Sequence, residues 1–166
     1  MNMNTTLHPI QEGDREPLIG IFNHYIENSM AAYLEQPLPP AYFDVLMKLC
    51  EGYPAYVAKD GSGSVTGFGI LRPYHPAPAF AATAEITYFL HPQATGAGIG
   101  KLLLEKLVEE GRAKGLKTIL ASISSANEGS LRFHLKNGFS ECGRFEGIGT
   151  KLGRSFDVMY CLRGIW

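Results

Sequence analysis

HPQATGAGIGKLLLEKL, His91 to Leu107, places glycines at 96, 98 and 100 and then runs directly into leucines with helical spacing. Glycine costs roughly 1 kcal/mol relative to alanine inside a helix, so three at alternate positions need a reason. A flexible turn is one reading. The other begins with the neighbours: a strand ending at Leu90, a glycine-rich turn and a helix from Gly98 aim unpaired N–H groups and the positive end of a helix dipole at one point. Phosphate binds well at such a point, and a backbone without Cβ lets the anion approach closely.

Working outward, Glu85 to Leu90 reads as the strand, Gly98 to about Lys114 as the helix, Thr118 to Ile123 as a further strand and Asn127 to Asn137 as a further helix, with Gly138 suited to the left-handed C′ position. Toward the N-terminus, Thr6 to Ile10 reads as a strand. Asp14 is placed to N-cap a helix whose apolar residues Leu18, Ile21, Phe22, Tyr25 and Ile26 follow helical spacing. The prolines of EQPLPPAY, Glu35 to Tyr42, break it, and a short helix follows from Tyr42 to Cys50. Ala55 to Lys59 and Val65 to Leu71 form a hairpin about DGSG, and Pro73 to Thr83 is a loop. Strands near Phe139 to Phe145 and Asp157 to Leu162 bracket a turn-like GIGTKLGRS. Hairpins mixed with helical crossovers predict one α/β domain, residues 1–166, around a mixed sheet.

The 15 basic and 16 acidic side chains leave a formal charge of -1, which provides no electrostatic footprint for nucleic acid. No apolar run reaches membrane-spanning length and the N-terminus lacks an export pattern, so no membrane association is expected. Cys50, Cys142 and Cys161 show no CxxC spacing, and His75 and His91 have no ligand spacing. The expectation is a reducing cytoplasm, no disulfide and no metal, with Cys142 in the core.

Two familiar phosphate-binding patterns fail. A P-loop would need GxxxxGK followed by Ser or Thr, and here Leu102 stands where the hydroxyl belongs. A Rossmann fingerprint needs GxGxxG near the first strand, whereas this spacing is GxGxG and lies in mid-chain. The third pattern is Arg or Gln, two residues, Gly, any residue, then Gly or Ala, at the start of a leucine-rich helix. With IFNHYIENSMA, GYPAYVA, AEITYFLHP, ISSANEGSLRFHLKNGF and GIGTKLGRSFD, it makes the chain resemble the GCN5-related N-acetyltransferase superfamily, within its phosphinothricin and methionine sulfoximine acetyltransferase branch. Thr95 stands where Arg or Gln is usual, and Gln93 fits only a frame shifted by two.

The resemblance implies a mostly antiparallel mixed sheet flanked by helices, acetyl-CoA as co-substrate, a small-molecule amine as acceptor and a homodimer. It implies that Thr95, Gly96, Ala97, Gly98, Ile99, Gly100 and Lys101 surround the diphosphate, that the backbone of Tyr88, Phe89 and Leu90 meets the pantetheine arm where two strands splay, and that Asn127 and Lys136 contribute from the next helix. Asn127 can equally be a plain N-cap. Glu85 matches the glutamate assigned as general base, and His134 stands where many members carry the tyrosine that protonates the leaving thiolate. Acyl transfer needs a neutral amine. An amine of pKa about 10.4 costs about 4.6 kcal/mol to deprotonate at pH 7, and an α-amino group of pKa about 7.7 about 1.

For the acceptor, Tyr33, Arg72, Tyr74, His75, Glu85 and Thr87 are the candidate contacts, with Arg72 suited to a carboxylate or phosphinate. Arg154 and Asp157 are candidates for closing the pocket or a dimer contact, with a plain exposed-charge role as the alternative. The branch reads KFGRW where this chain has KLGRS, so Ser155 removes one indole from the acceptor side. Direct transfer to a small amino-acid-like amine is the expected activity. An acetyltransferase for a peptide N-terminus, polyamine or aminoglycoside stands as an alternative, as does a non-catalytic acyl-CoA sensor. No Asp or Glu lies between Pro73 and Thr83, which disfavours a cationic acceptor.

Overall fold

The computed structural model describes residues 4–166. In chain order the elements are β1 (Thr6–Pro9), α1 (Arg15–Asn28), α2 (Tyr42–Leu49), β2 (Ala55–Lys59), β3 (Val65–Pro73), β4 (Thr83–Leu90), α3 (Ile99–Ala113), β5 (Thr118–Ser124), α4 (Glu128–Lys136), β6 (Ser140–Lys151) and β7 (Arg154–Gly164). They build a seven-stranded sheet of order β1-β2-β3-β4-β5-β7-β6. Every neighbouring pair runs antiparallel except β4 and β5, whose pairing is parallel and spans only Thr83↔Thr118 to Glu85↔Leu120.

Strand periodicity divides the core in two. Phe68 and Ile70 of β3 face α1 and α2, packing with Leu18, Ile21, Phe43 and Leu46. Leu71 of β3, Ala84 and Ile86 of β4 and Ile119, Ala121 and Ile123 of β5 face the other way, onto Leu104, Leu107 and Val108 of α3 and Leu131 and Phe133 of α4. The expected mixed, mostly antiparallel sheet between helices is therefore present.

Local chemistry explains the joints. Asp60 Oδ1 accepts the amides of Ser62 and Ser64, and Gly63 takes φ +84° to close the β2–β3 turn. Gly138 ends α4 at φ +88°, as its position implied.

Four expectations need correction. Asp14 stands at the start of α1 without capping it: its carboxylate accepts the Gln11 amide at 2.9 Å and pairs with Lys59 at 3.0 Å, closing a single 3-10 turn ahead of the helix. The strand expected from Glu85 begins at Thr83, so Glu85 lies inside it. The GIGTKLGRS stretch is mostly strand, because β6 and β7 form a long hairpin joined at Leu152 and Gly153, whose φ values are +50° and +74°. Cys142 lies in the exposed strand β6, its Sγ donating to Tyr160 O at 3.3 Å, and is not core.

Candidate active site

Past Glu85 and Leu120, β4 and β5 have no ladder between them, and the sheet opens. The His91 amide donates to Thr66 O, which fixes the alternation along β4: Glu85, Thr87 and Phe89 direct their backbone groups to β3, the Ile86 amide closes the last rung of the β4–β5 ladder on Leu120, and Tyr88 and Leu90 direct theirs into the opening. Tyr25 of α1 reaches across to donate its hydroxyl to Leu90 O at 2.6 Å. A cleft of about 980 Å³ passes through this gap.

Side chains alternate as well, so the two sides of the cleft differ. On the α1 side stand Glu85, Thr87 and Phe89, with Arg72, Tyr33, Ser122 and Tyr160 around them. Arg72 and Glu85 are directly opposed in the β3–β4 register and form an ion pair through Nη2 and Oε2. Tyr33 donates or accepts one hydrogen bond with Ser122 Oγ at 2.9 Å, and its ring stacks on Phe156 at 5.6 Å. Burial raises the Tyr33 phenol above its ordinary value, opposed by the Ser122 bond.

On the α3 and α4 side, Tyr88 packs against Phe133 and His134. His134 Nδ1 lies 2.7 Å from Ser130 O, which can only accept, so Nδ1 carries the hydrogen. Burial lowers the His134 pKa, opposed by that same bond, and in the neutral ring Nε2 then accepts the Tyr88 hydroxyl at 2.6 Å. Tyr88 is driven above the usual tyrosine range by burial. Both ring nitrogens of His134 are thus engaged. Asn127 caps α4, its side chain accepting the Ser130 amide at 3.2 Å, and also lines the cleft.

At the end of the opening, Gly96 and Gly98 take φ +78° and +83°, and a Cβ on either would meet nothing within 4 Å. These values turn the chain so that α3 begins at Ile99 with the first intrahelical donor at Leu102, bonded to Gly98 O. The amides just before it have no intrahelical acceptor. The first turn contains no acidic residue and does contain Lys101, a cation at the positive end of a helix. That placement is unfavourable alone and favourable around an anion, so the residues present fit a diphosphate. Thr95, in the Arg or Gln position, donates its hydroxyl to Pro92 O at 3.1 Å and holds a short 3-10 turn over Pro92–Ala94.

The cleft gathers Tyr33, Arg72, Glu85, Thr87, Tyr88, Phe89, Leu90, Thr95, Gly96, Gly98, Gly100, Lys101, Asn127 and His134 from the sequence expectations. Ala97, Ile99, Lys136, Tyr74 and His75 are not among its walls. Ile99 is buried with Ala58 and Leu103 beneath the turn, and Lys136 lies exposed in the last turn of α4. Tyr74 and His75 pack edge-to-face with Phe80 on the outer loop. Asp157 binds Arg144 and the Gly147 amide within the β6–β7 hairpin, away from the cleft. Sequence reasoning missed Phe22, Tyr25, Ser122, Ser130 and Tyr160. The helical spacing had marked Phe22 and Tyr25, but only as core.

A sheet parted at one parallel pair, with bare amides at the head of the helix that follows, defines an acyl-CoA-dependent transferase fold. The chain matches the model of the Acetyltransferase (GNAT) family over residues 20–139, and it belongs to that family. Acetyl-CoA is the family's co-substrate. It is 33% identical to the phosphinothricin N-acetyltransferase of Streptomyces coelicolor, covering 93% of this chain and 92% of that one. It is 30% identical to the L-methionine sulfoximine/L-methionine sulfone acetyltransferase of Pseudomonas aeruginosa, covering 95% and 93%. A crystal structure of a phosphinothricin acetyltransferase from Sinorhizobium meliloti in complex with acetyl-CoA superposes with a TM-score of 0.92 at 30% identity, covering 98% of this chain and 89% of that one.

Proposed function

We propose that the chain acetylates the amino group of a small amino-acid-like acceptor by direct attack on acetyl-CoA in a ternary complex, in the manner of the phosphinothricin and methionine sulfoximine enzymes it resembles. The observation that carries this reading is the Arg72–Glu85 ion pair on the α1 wall of a cleft whose other end holds the bare amides. A zwitterionic acceptor matches that pair charge for charge. Its carboxylate or phosphinate draws Arg72, which releases Glu85 toward its ammonium. Polyamines and aminoglycosides bring several cations to a wall whose one carboxylate, Glu85, is already paired.

Each residue then has a task. Glu85 takes the ammonium proton, directly or through a water, and exposes the nitrogen lone pair. The open-side amide of Tyr88 or Leu90 polarises the acetyl carbonyl. The diphosphate is held by the amides of Gly98 to Lys101 with the Lys101 ammonium. His134 is a neutral imidazole that orients the Tyr88 hydroxyl. Tyr88 keeps its proton and commits it to His134 Nε2, so neither group is free to protonate the leaving thiolate, which takes its proton from solvent. We place the chain in the cytoplasm as a homodimer. The edge strand β6, with Phe145 and Ile148 exposed, is the surface that favours pairing, and sedimentation reads the state.

A thiol-release assay over methionine sulfoximine, phosphinothricin, a polyamine, an aminoglycoside and a peptide N-terminus tests the reading. Release with the amino-acid analogues is expected. Transfer confined to the peptide overturns the acceptor class, and acetyl-CoA binding without turnover on any amine favours the sensor.

A further inference from the structure

Lys151 is the fully buried charge that the chemistry above does not use. It is the last residue of β6 and only 1% exposed, and its ammonium donates to three carbonyls, Ile26 O, Ser29 O and Ala32 O, each at 2.7 Å. These three acceptors use every N–H of the ammonium. All three acceptors belong to the end of α1 and the connector that follows it. Ile26 lies in the last turn of α1, where carbonyls have no intrahelical donor and a cation is favoured by the helix dipole. That turn has no basic residue of its own. The cation comes instead from a strand 125 residues away.

The same connector carries the acceptor wall. Ala31, Ala32 and Tyr33 line the cleft, and Tyr33 is set by its stack on Phe156 and its bond to Ser122. One residue past Lys151, the Leu152 amide donates to Glu35 Oε1 at 2.7 Å, so the tip of the β6–β7 hairpin grips the connector at both ends. We propose that Lys151 is a positioning residue for acceptor binding: it fixes the connector from Ser29 to Ala32 so that Tyr33 stands over the Arg72–Glu85 pair. The inference rests on the reading that the acceptor enters on the Tyr33 side.

The test uses Lys151→Met, which keeps the aliphatic stem and deletes the donors, and Lys151→Arg, which keeps donors in a different geometry. The expected result for Lys151→Met is an acceptor KM raised about tenfold or more, with calorimetric acetyl-CoA affinity within about twofold of the parent. Lys151→Arg should lie between the two. Tyr33→Phe on top of Lys151→Met should add less than it does alone, since both act through the same wall. Amide hydrogen exchange across Ala31 to Glu35 should rise in Lys151→Met while that of α3 does not, a readout that stands even if the acceptor class is wrong. Folded variants with unchanged acceptor KM overturn the proposal. So do equal losses in acceptor and acetyl-CoA binding, or failure of both variants to fold, since each makes Lys151 a general stability element.

Discussion

Replacing Gly98 by alanine separates a cradle from a flexible turn. Gly98 holds φ +83° and ψ 2°, and an L-residue in that region costs roughly 1–2 kcal/mol. An added Cβ meets no atom within 4 Å, so the cost is conformational and not a clash. If the backbone stays left-handed after the substitution, the whole penalty appears as lost stability in urea unfolding. If it relaxes, the amides turn away and the penalty appears in acetyl-CoA affinity, at about tenfold in Kd per 1.4 kcal/mol. Unfolding and calorimetry together should therefore recover roughly 1–2 kcal/mol. Gly100→Ala gives the opposite pairing. Gly100 lies in the first turn of α3, where alanine is favoured by up to about 1 kcal/mol, and its Cβ would lie 3.5 Å from Phe133, an ordinary contact. Stability should rise while affinity falls, because the methyl group stands where the anion approaches. Gly98→Ala with both quantities unchanged, or Gly100→Ala with parental affinity, would refute the cradle.

Glu85→Gln should lower kcat by about 10²–10⁴ with acetyl-CoA affinity retained, and the deficit should shrink as assay pH approaches the acceptor's amine pKa, read from a pH–rate series. His134 gives a pH signature in stability. Its folded pKa is depressed by burial, so the unfolded chain binds more protons in the window below about 6.5, and the stabilisation present above that pH is lost as pH falls through the folded value. Urea midpoints should drop from about pH 7.5 to about pH 5.5 in the parent and drop less in His134→Gln.

The parts of the fold that were legible in the sequence are those with local causes. Asp60 and Gly63 dictate their own turn, and Gly138 its own helix end. The β6–β7 hairpin was misread because the glycines at 147, 149 and 153 in GIGTKLGRS imitate a loop. Gly149 pairs with Phe156, Gly147 lies at the register shift between Phe145 and Gly149, and only Gly153 belongs to the turn itself. Site residues followed the same division. Gly96, Gly98 and Asn127 act through their own backbone neighbourhood, so pattern reached them. Ser122, Tyr160 and the Arg72–Glu85 pairing depend on register between strands, and the Lys151 contacts depend on tertiary closure across the chain, which no spacing encodes.

The opening between β4 and β5 leaves the amides of Tyr88 and Leu90 without a strand partner, in a cleft that also has apolar walls. A buried amide left unpaired costs about 1–3 kcal/mol, so the gap favours a ligand that brings amide groups at strand-like spacing. Pantetheine carries two. On the proposed reading the gap and the glycine turn grip different parts of one molecule, and S-acetylpantetheine, which lacks the nucleotide, tests whether those grips are separable. Hydrogen bonds to charged groups contribute about 1.5–3 kcal/mol each, so losing two or more at the head of α3 should raise KM by roughly 10²–10⁴. Because those bonds form equally in ground and transition states, kcat at saturation should stay within about tenfold. A KM equal to that of acetyl-CoA would mean the bare amides hold nothing. A collapse of kcat would mean that anchoring the diphosphate also shapes the reacting end, and the division of labour along the cleft would fail.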